Sequence, residues 1–257
     1  MASSTALPLA LLIIYITFSL PVIYVAIKHG FKHGAIVGWF FLFAFCTLKI
    51  VSSAIEMNDP HSSGAVLVGS IGLSPLLAAF CGVLHEARAY IIPKSRRPCD
   101  LAYLIIFHLL VTTAIAIIAS GASDLSKTTL SPDQINRDNA LVKAGIVMLF
   151  VGWISLAILT IMTFRHISTR TSGKLADNGA GKKLLLAVAV SIPFLGIRVL
   201  ERLVYYFTQN PLLDPISGSF GLRVGLEVVE EIIVTLLLVV AGVLTRNIGS
   251  VAATDVN

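Results

Sequence analysis

The sequence predicts an all-α polytopic membrane protein, a bundle of seven transmembrane helices with its N-terminus outside and its C-terminus in the cytoplasm. Three observations predict it. Of 257 residues, 56% are apolar and 13% charged, against about 45–50% and about 25% in an ordinary soluble domain. Seven apolar runs each come near or exceed the roughly 20 residues that one crossing needs. Basic residues gather in alternate connections. The composition also excludes a disordered chain, which needs low hydrophobicity and high net charge. The runs leave no room for a soluble domain, so residues 1–257 read as a single membrane domain.

The runs lie at about 6–27, 35–56, 64–90, 101–119, 140–164, 184–207 and 221–244. The first reads as a retained anchor. It has no basic residue before Lys28 and is longer than the apolar core of a signal peptide. The stretch 120–139 is rich in Ser, Thr, Asp and Asn, contains Pro132 and reads as an external loop. Loop 165–183 is the only cytoplasmic connection of any size.

Orientation follows from the basic residues. Lys28, Lys32, Lys94, Arg96, Arg97, Arg165, Arg170, Lys174, Lys182, Lys183 and Arg246 fall on one side, and only Lys127, Arg137 and Lys143 on the other. The positive-inside rule makes the richer side cytoplasmic. The formal net charge of +5 is thus mostly topology, and no nucleic-acid partner is expected. The expected partners are the lipid bilayer and a hydrophobic small molecule. No signal selects between the endoplasmic reticulum and the plasma membrane.

Lys49, Arg198, Arg202 and Arg223 lie inside apolar spans, as do all six Glu or their immediate ends, whereas all eight Asp lie in loops, helix edges or the tail. At 100° per residue, Arg198, Glu201, Arg202 and Tyr205 share one arc of the sixth helix. Arg223, Glu227, Glu230 and Glu231 share one arc of the seventh, and Lys49, Ser52, Ser53 and Glu56 one arc of the second. All three stripes fall in the outer half of the membrane and are expected to face one another. A charge facing lipid near mid-helix costs about 2.5–3.5 kcal/mol, so three lipid-facing Glu in the seventh helix would cost roughly 7–10 kcal/mol. Its apolar residues would return only about 5 kcal/mol. Four bases against five acids leave one acid without a formal partner.

A second group, His85, Glu86, Arg88 and Tyr90, closes the third helix, where Arg88 and Glu86 can equally snorkel to the inner interface. The outer stripes can equally form an ion-pair clasp between helices. His108 is read as an interhelical hydrogen-bonder. Residues 221–244 hold no Lys for a retinal Schiff base, and two His within spans are too few for a zinc hydrolase site. Neither metal nor cofactor is expected. Cys46, Cys81 and Cys99 show no disulfide or metal spacing.

In length, helix count and the charged runs LHEARAY, RVLERLVYY and RVGLEVVEE, the chain resembles a group of uncharacterised seven-helix membrane proteins of filamentous fungi. In size, helix number and intramembrane acids it is also similar to the integral membrane terpene cyclases of fungal meroterpenoid pathways. That resemblance implies an enzyme that protonates a lipid-like polyene with a carboxyl group. Two functional readings follow. In the first, Glu201, Glu230 and Glu231 are candidate acids in a cyclisation or isomerisation of a polyprenyl or polyketide intermediate. Arg198, Arg202 and Tyr205 would orient acid or substrate, Glu227, Arg223, Lys49 and Glu56 would complete the binding site, and Phe194, Tyr206 and Phe207 would shield a cation. In the second, the chain is a receptor or proton-coupled carrier, and the acids are counter-ions or a proton relay. Pro193, five residues before Arg198, would be the helix interruption that a carrier needs.

Overall fold

The computed structural model describes residues 6–30, 35–59, 64, 68, 71–92, 99–125, 131–168, 179–213 and 219–246. Among them there is no strand. Seven long helices follow in chain order: α1 (Ala6–His29), α2 (Ala35–Asn58), α3 (Leu73–Ile91), α4 (Asp100–Leu125), α5 (Pro132–Ser168), α6 (Gly179–Thr208) and α7 (220–244). The last is composite, with a short α turn at Phe220–Arg223, a π turn at Val224–Val228 and a regular helix at Val229–Leu244. Five of the seven, α1, α2, α4, α5 and α6, are long and apolar enough to cross a membrane.

α3 sits at the centre and packs against α2, α4, α5 and α6, while α1 closes the ring between α2 and α7. Its residues from Leu73 to Leu84 are all buried, as expected of a helix that is apolar all round. α2 crosses it at a glycine pair. A Cβ built on Gly38 would meet the backbone nitrogen of Val83 at 2.7 Å, and one built on Gly82 would meet the backbone of Gly38. Small residues at such a crossing bring two backbones together.

The outer surface is apolar. Ile13, Leu20 and Ile27 of α1, Ile106 of α4, Met162 of α5 and Leu244 of α7 are each more than half exposed, while Lys49, Glu86, Arg198, Arg202, Glu230 and Glu231 are buried. This is the reverse of a soluble protein's polarity.

Two expectations change. The stretch 120–139 is largely helical, since α4 runs to Leu125 and α5 begins at Pro132; residues 126–130 lie outside the described residues. The cause is a capping box. Ser131 Oγ accepts from the Gln134 amide at 3.3 Å, and Gln134 Oε1 accepts from the Ser131 amide at 2.9 Å. Pro132 occupies the first helical position, where its missing N–H costs nothing. The loop expected at 165–183 is likewise helical up to Ser168 and from Gly179, and 169–178 lie outside the described residues. In the third span, the continuous helix is described from Leu73; 64, 68 and 71 are also helical, and 65–67 and 69–70 lie outside the described residues.

Candidate functional site

The stripes on α2, α6 and α7 converge. Arg198, 1% exposed, is the hub: Nη1 donates to Glu201 Oε2 at 2.7 Å and Nε donates to Glu231 Oε1 at 3.3 Å. Its Nη2 lies 2.7 Å from Glu227 Oε1 as an ion pair without hydrogen-bond alignment. Lys49 Nζ reaches Glu231 Oε2 at 2.5 Å and Glu227 Oε1 at 3.5 Å. Tyr15 of α1, fully buried, donates its hydroxyl to the same Glu231 oxygen at 3.4 Å. Glu231 is therefore held from three helices. Breaking one partner of such a buried pair strands a charge, so these contacts fix the relative positions of α2, α6 and α7.

Arg202 is held more loosely. It makes two long ion pairs, Nε to Glu201 at 3.5 Å and Nη2 to Glu227 at 3.6 Å, and its buried Nη1 has no hydrogen-bond partner among the described residues. It also lines a cleft between α3, α4, α5 and α6. The cleft is small, about 20 Å³, and its other walls are Leu73, Ile118, Ile146, Leu149, Val199 and Tyr206.

Glu230 stands apart from the other acids. It is 5% exposed, it makes no ion pair among the described residues, and its Oε2 has no hydrogen-bond partner there. It lies within electrostatic reach of Arg198, Glu201 and Glu231. Of the three candidate acids, Glu201 and Glu231 are thus already committed to Arg198, and Glu230 alone keeps an uncommitted carboxyl. The π turn, Val224–Val228, ends two residues before it. Such turns add a residue to the helical repeat and often mark functional sites.

The remaining candidates are spread around this core. Glu56 lies two turns beyond Lys49 on α2 and is half-buried, and the side chain of Arg223 lies outside the described residues. Tyr205 is half-buried and meets the Tyr206 ring edge to face at 4.9 Å. Phe194 packs against the core, and Phe207 is 55% exposed with Lys143 over its ring. His108 turns back to its own helix, Nδ1 to the Leu104 carbonyl at 2.7 Å, so it is not the interhelical link expected of it.

The group at the end of α3 separates. Glu86, fully buried, accepts from Trp39 Nε1 at 3.0 Å, and its other oxygen lies 2.5 Å from His29 Nδ1. His29 Nε2 faces the Gly242 carbonyl at 3.1 Å, so that nitrogen carries a hydrogen. Arg88 points elsewhere, forming a two-pronged pair with Asp100 at 2.7 and 3.1 Å and donating to Thr163 at 2.6 Å. It pins α3 to α4 and α5 instead of snorkelling. His85 and Tyr90 are half-buried, and Tyr90 lies within electrostatic reach of Glu86.

Tyr15, His29 and Trp39 are the site residues that the sequence did not single out. No group of three or more His, Cys, Asp or Glu among the described residues is placed to hold a metal ion. No curated protein and no solved structure matches the chain. Residues 2–248 match the family described as Domain of unknown function (DUF7702), and the chain belongs to that family.

Proposed function

We propose that the protein spans the membrane seven times, N-terminus outside and C-terminus cytoplasmic, and that the cluster around Arg198 is the centre of a membrane-embedded enzyme. Its substrate is a lipid-soluble polyprenyl or polyketide intermediate of fungal secondary metabolism, cyclised or isomerised by a carboxylic acid. The reversed polarity supports membrane embedding. α3 is enclosed by α2, α4, α5 and α6, while α7 turns its buried Glu231 inward onto Lys49 and Arg198 and presents the apolar Leu236, Val240 and Leu244 outward.

The observation that carries the enzyme reading is Glu230, a buried carboxyl that forms no ion pair among the described residues, beside a cluster whose other acids are paired. In this reading Glu230 gives its proton to a substrate double bond. A C–H bond forms, an O–H bond breaks and a carbocation remains. Arg198 stabilises the carboxylate left behind, and loss of a proton from a neighbouring carbon of the rearranged cation restores the acid. The sum is an isomerisation, so no co-reactant is consumed. Glu230→Gln in the source organism should remove the product and leave its isomeric precursor, as read by mass spectrometry of lipid extracts, with the protein still present in the membrane.

A proton-coupled carrier is the second reading, favoured by one observation. α7 is irregular at Val224–Val228, ending two residues before Glu230, and carriers build their sites on broken helices. Glu230→Gln should then abolish pH-dependent uptake into proteoliposomes while lipid extracts stay unchanged.

A further inference from the structure

We infer that the end of α5 and the start of α6 form a docking surface for one anionic phospholipid, with its headgroup on Arg165, Lys182 and Lys183 and its acyl chains along the apolar outer faces of the two helices. The inference goes beyond the enzyme reading and does not need it. It rests on the reading that α5 and α6 cross the membrane, and the proposed orientation places the lipid in the cytoplasmic leaflet.

Two outward apolar stripes end in exposed bases. On α5, Ile154, Ile158 and Ile161 are exposed, and at 100° per residue the exposed Arg165 continues their arc one turn further on. On α6, Leu186 and Val190 are exposed, and the exposed Lys182 and Lys183 continue that arc one turn towards the helix start. The two helices pack against each other and run antiparallel, with Lys143 near the start of α5 over the ring of Phe207 at the end of α6. Arg165, Lys182 and Lys183 therefore come to the same end of the bundle, where the apolar outer face stops. That is the depth of lipid headgroups, and long basic side chains reach it readily.

Charge decides which lipid the surface takes. In sequence, 165–183 holds five Lys or Arg against Asp177 as its single acid, so pairing within the stretch cannot cancel its charge. The described acids nearest this end are engaged elsewhere, Glu86 with His29 and Asp100 with Arg88. At the opposite end of α5, by contrast, Asp133 and Asp138 balance Arg137 and Lys143. α1 and α7 each bring one exposed base to the same level, Lys28 and Arg246, whereas the α5–α6 corner brings three. Each Lys or Arg near an anionic surface strengthens binding about fivefold, so three together carry about a hundredfold. A zwitterionic headgroup gains little from them.

The test is native mass spectrometry of the full-length protein, released from detergent micelles that carry phosphatidylserine and phosphatidylcholine of identical chains in equal amounts. The serine lipid should be retained over the choline lipid by about tenfold or more. Arg165→Gln, Lys182→Gln and Lys183→Gln combined should bring the ratio to within about twofold of one. Arg165→Lys, Lys182→Arg and Lys183→Arg combined should keep the preference, which separates loss of charge from loss of fold. Lys28→Gln with Arg246→Gln removes the bases of α1 and α7 and should keep most of it. Soluble glycerophosphoserine in large excess should not displace the lipid, because the apolar stripes hold the chains. A preference that survives the triple Gln variant, that the charge-preserving variant loses, or that Lys28→Gln with Arg246→Gln removes as fully, overturns the inference. Displacement by glycerophosphoserine also overturns it, in favour of a site for a free phosphate compound. Retention of both lipids without preference overturns the inference alone, whereas retention of neither overturns it together with the membrane-spanning reading.

Discussion

Nε of Arg198 lies 3.3 Å from Oε1 of Glu231, and this buried contact ties α6 to α7 at the carboxylate that Lys49 of α2 also reaches. Arg198→Met should leave Glu201, Glu227 and Glu231 without their nearest shared cation. Loss of one partner from such a pair costs about 3–5 kcal/mol. Glu230→Gln removes no ion pair and should change stability by no more than about 1 kcal/mol. Thermal unfolding in detergent, followed by size exclusion, measures both; equal losses would show that Glu230 is as structural as Arg198.

Glu86 should be a structural acid. Glu86→Leu leaves the Trp39 N–H and the His29 Nδ1 without their shared partner, at about 1–3 kcal/mol for each stranded group. Glu86→Gln still offers an oxygen to Trp39 and should lose less. The same unfolding assay should therefore rank wild type above Glu86→Gln and Glu86→Leu last.

The α2–α3 crossing predicts a sharp contrast among glycines. Gly38→Ala places a methyl group 2.7 Å from the Val83 amide, with no side chain able to yield, and overpacking of this kind costs about 1–3 kcal/mol. Gly152→Ala meets only Phe107 and Leu110 at 3.5 Å or more and should be neutral, or stabilising by up to about 1 kcal/mol through helix propensity. Comparable melting temperatures for the two variants would contradict the crossing.

Topology can be read from one native thiol. Cys99 is exposed in the connection before α4, while Cys46 and Cys81 are buried. A membrane-impermeant maleimide should leave intact cells unlabelled and should label Cys99 once the cytoplasmic face is opened. Ser131→Cys, at the start of α5, should label from outside. Labelling of Cys99 on intact cells would reverse the orientation.

Much of this architecture is legible in the sequence because helix periodicity is local. The stripe carrying Lys49 meets those of Arg198 and Glu231, since a buried charge has few places to go except another charge. Partner choice is another matter. His29 sits beside Lys28 at a helix end with no local sign of a partner, yet it pairs with Glu86, 57 positions away, a relation that only packing creates. The grouping of Glu86 with Arg88 overlooked a local signal: residues two apart on a helix lie about 200° apart, so these two face opposite ways. The Ser131–Gln134 capping box was likewise written in the sequence as S-P-D-Q, and polar composition masked it as a loop. The cleft at Arg202 was not legible, because it is the space left between four helices.

The most direct measurement compares lipid extracts of the source organism lacking this gene with extracts after return of either wild type or Glu230→Gln. The account predicts that deletion removes a metabolite and leaves an isomeric precursor, that wild type restores the product, and that Glu230→Gln does not, although it accumulates normally in the membrane. Full restoration by Glu230→Gln would contradict it.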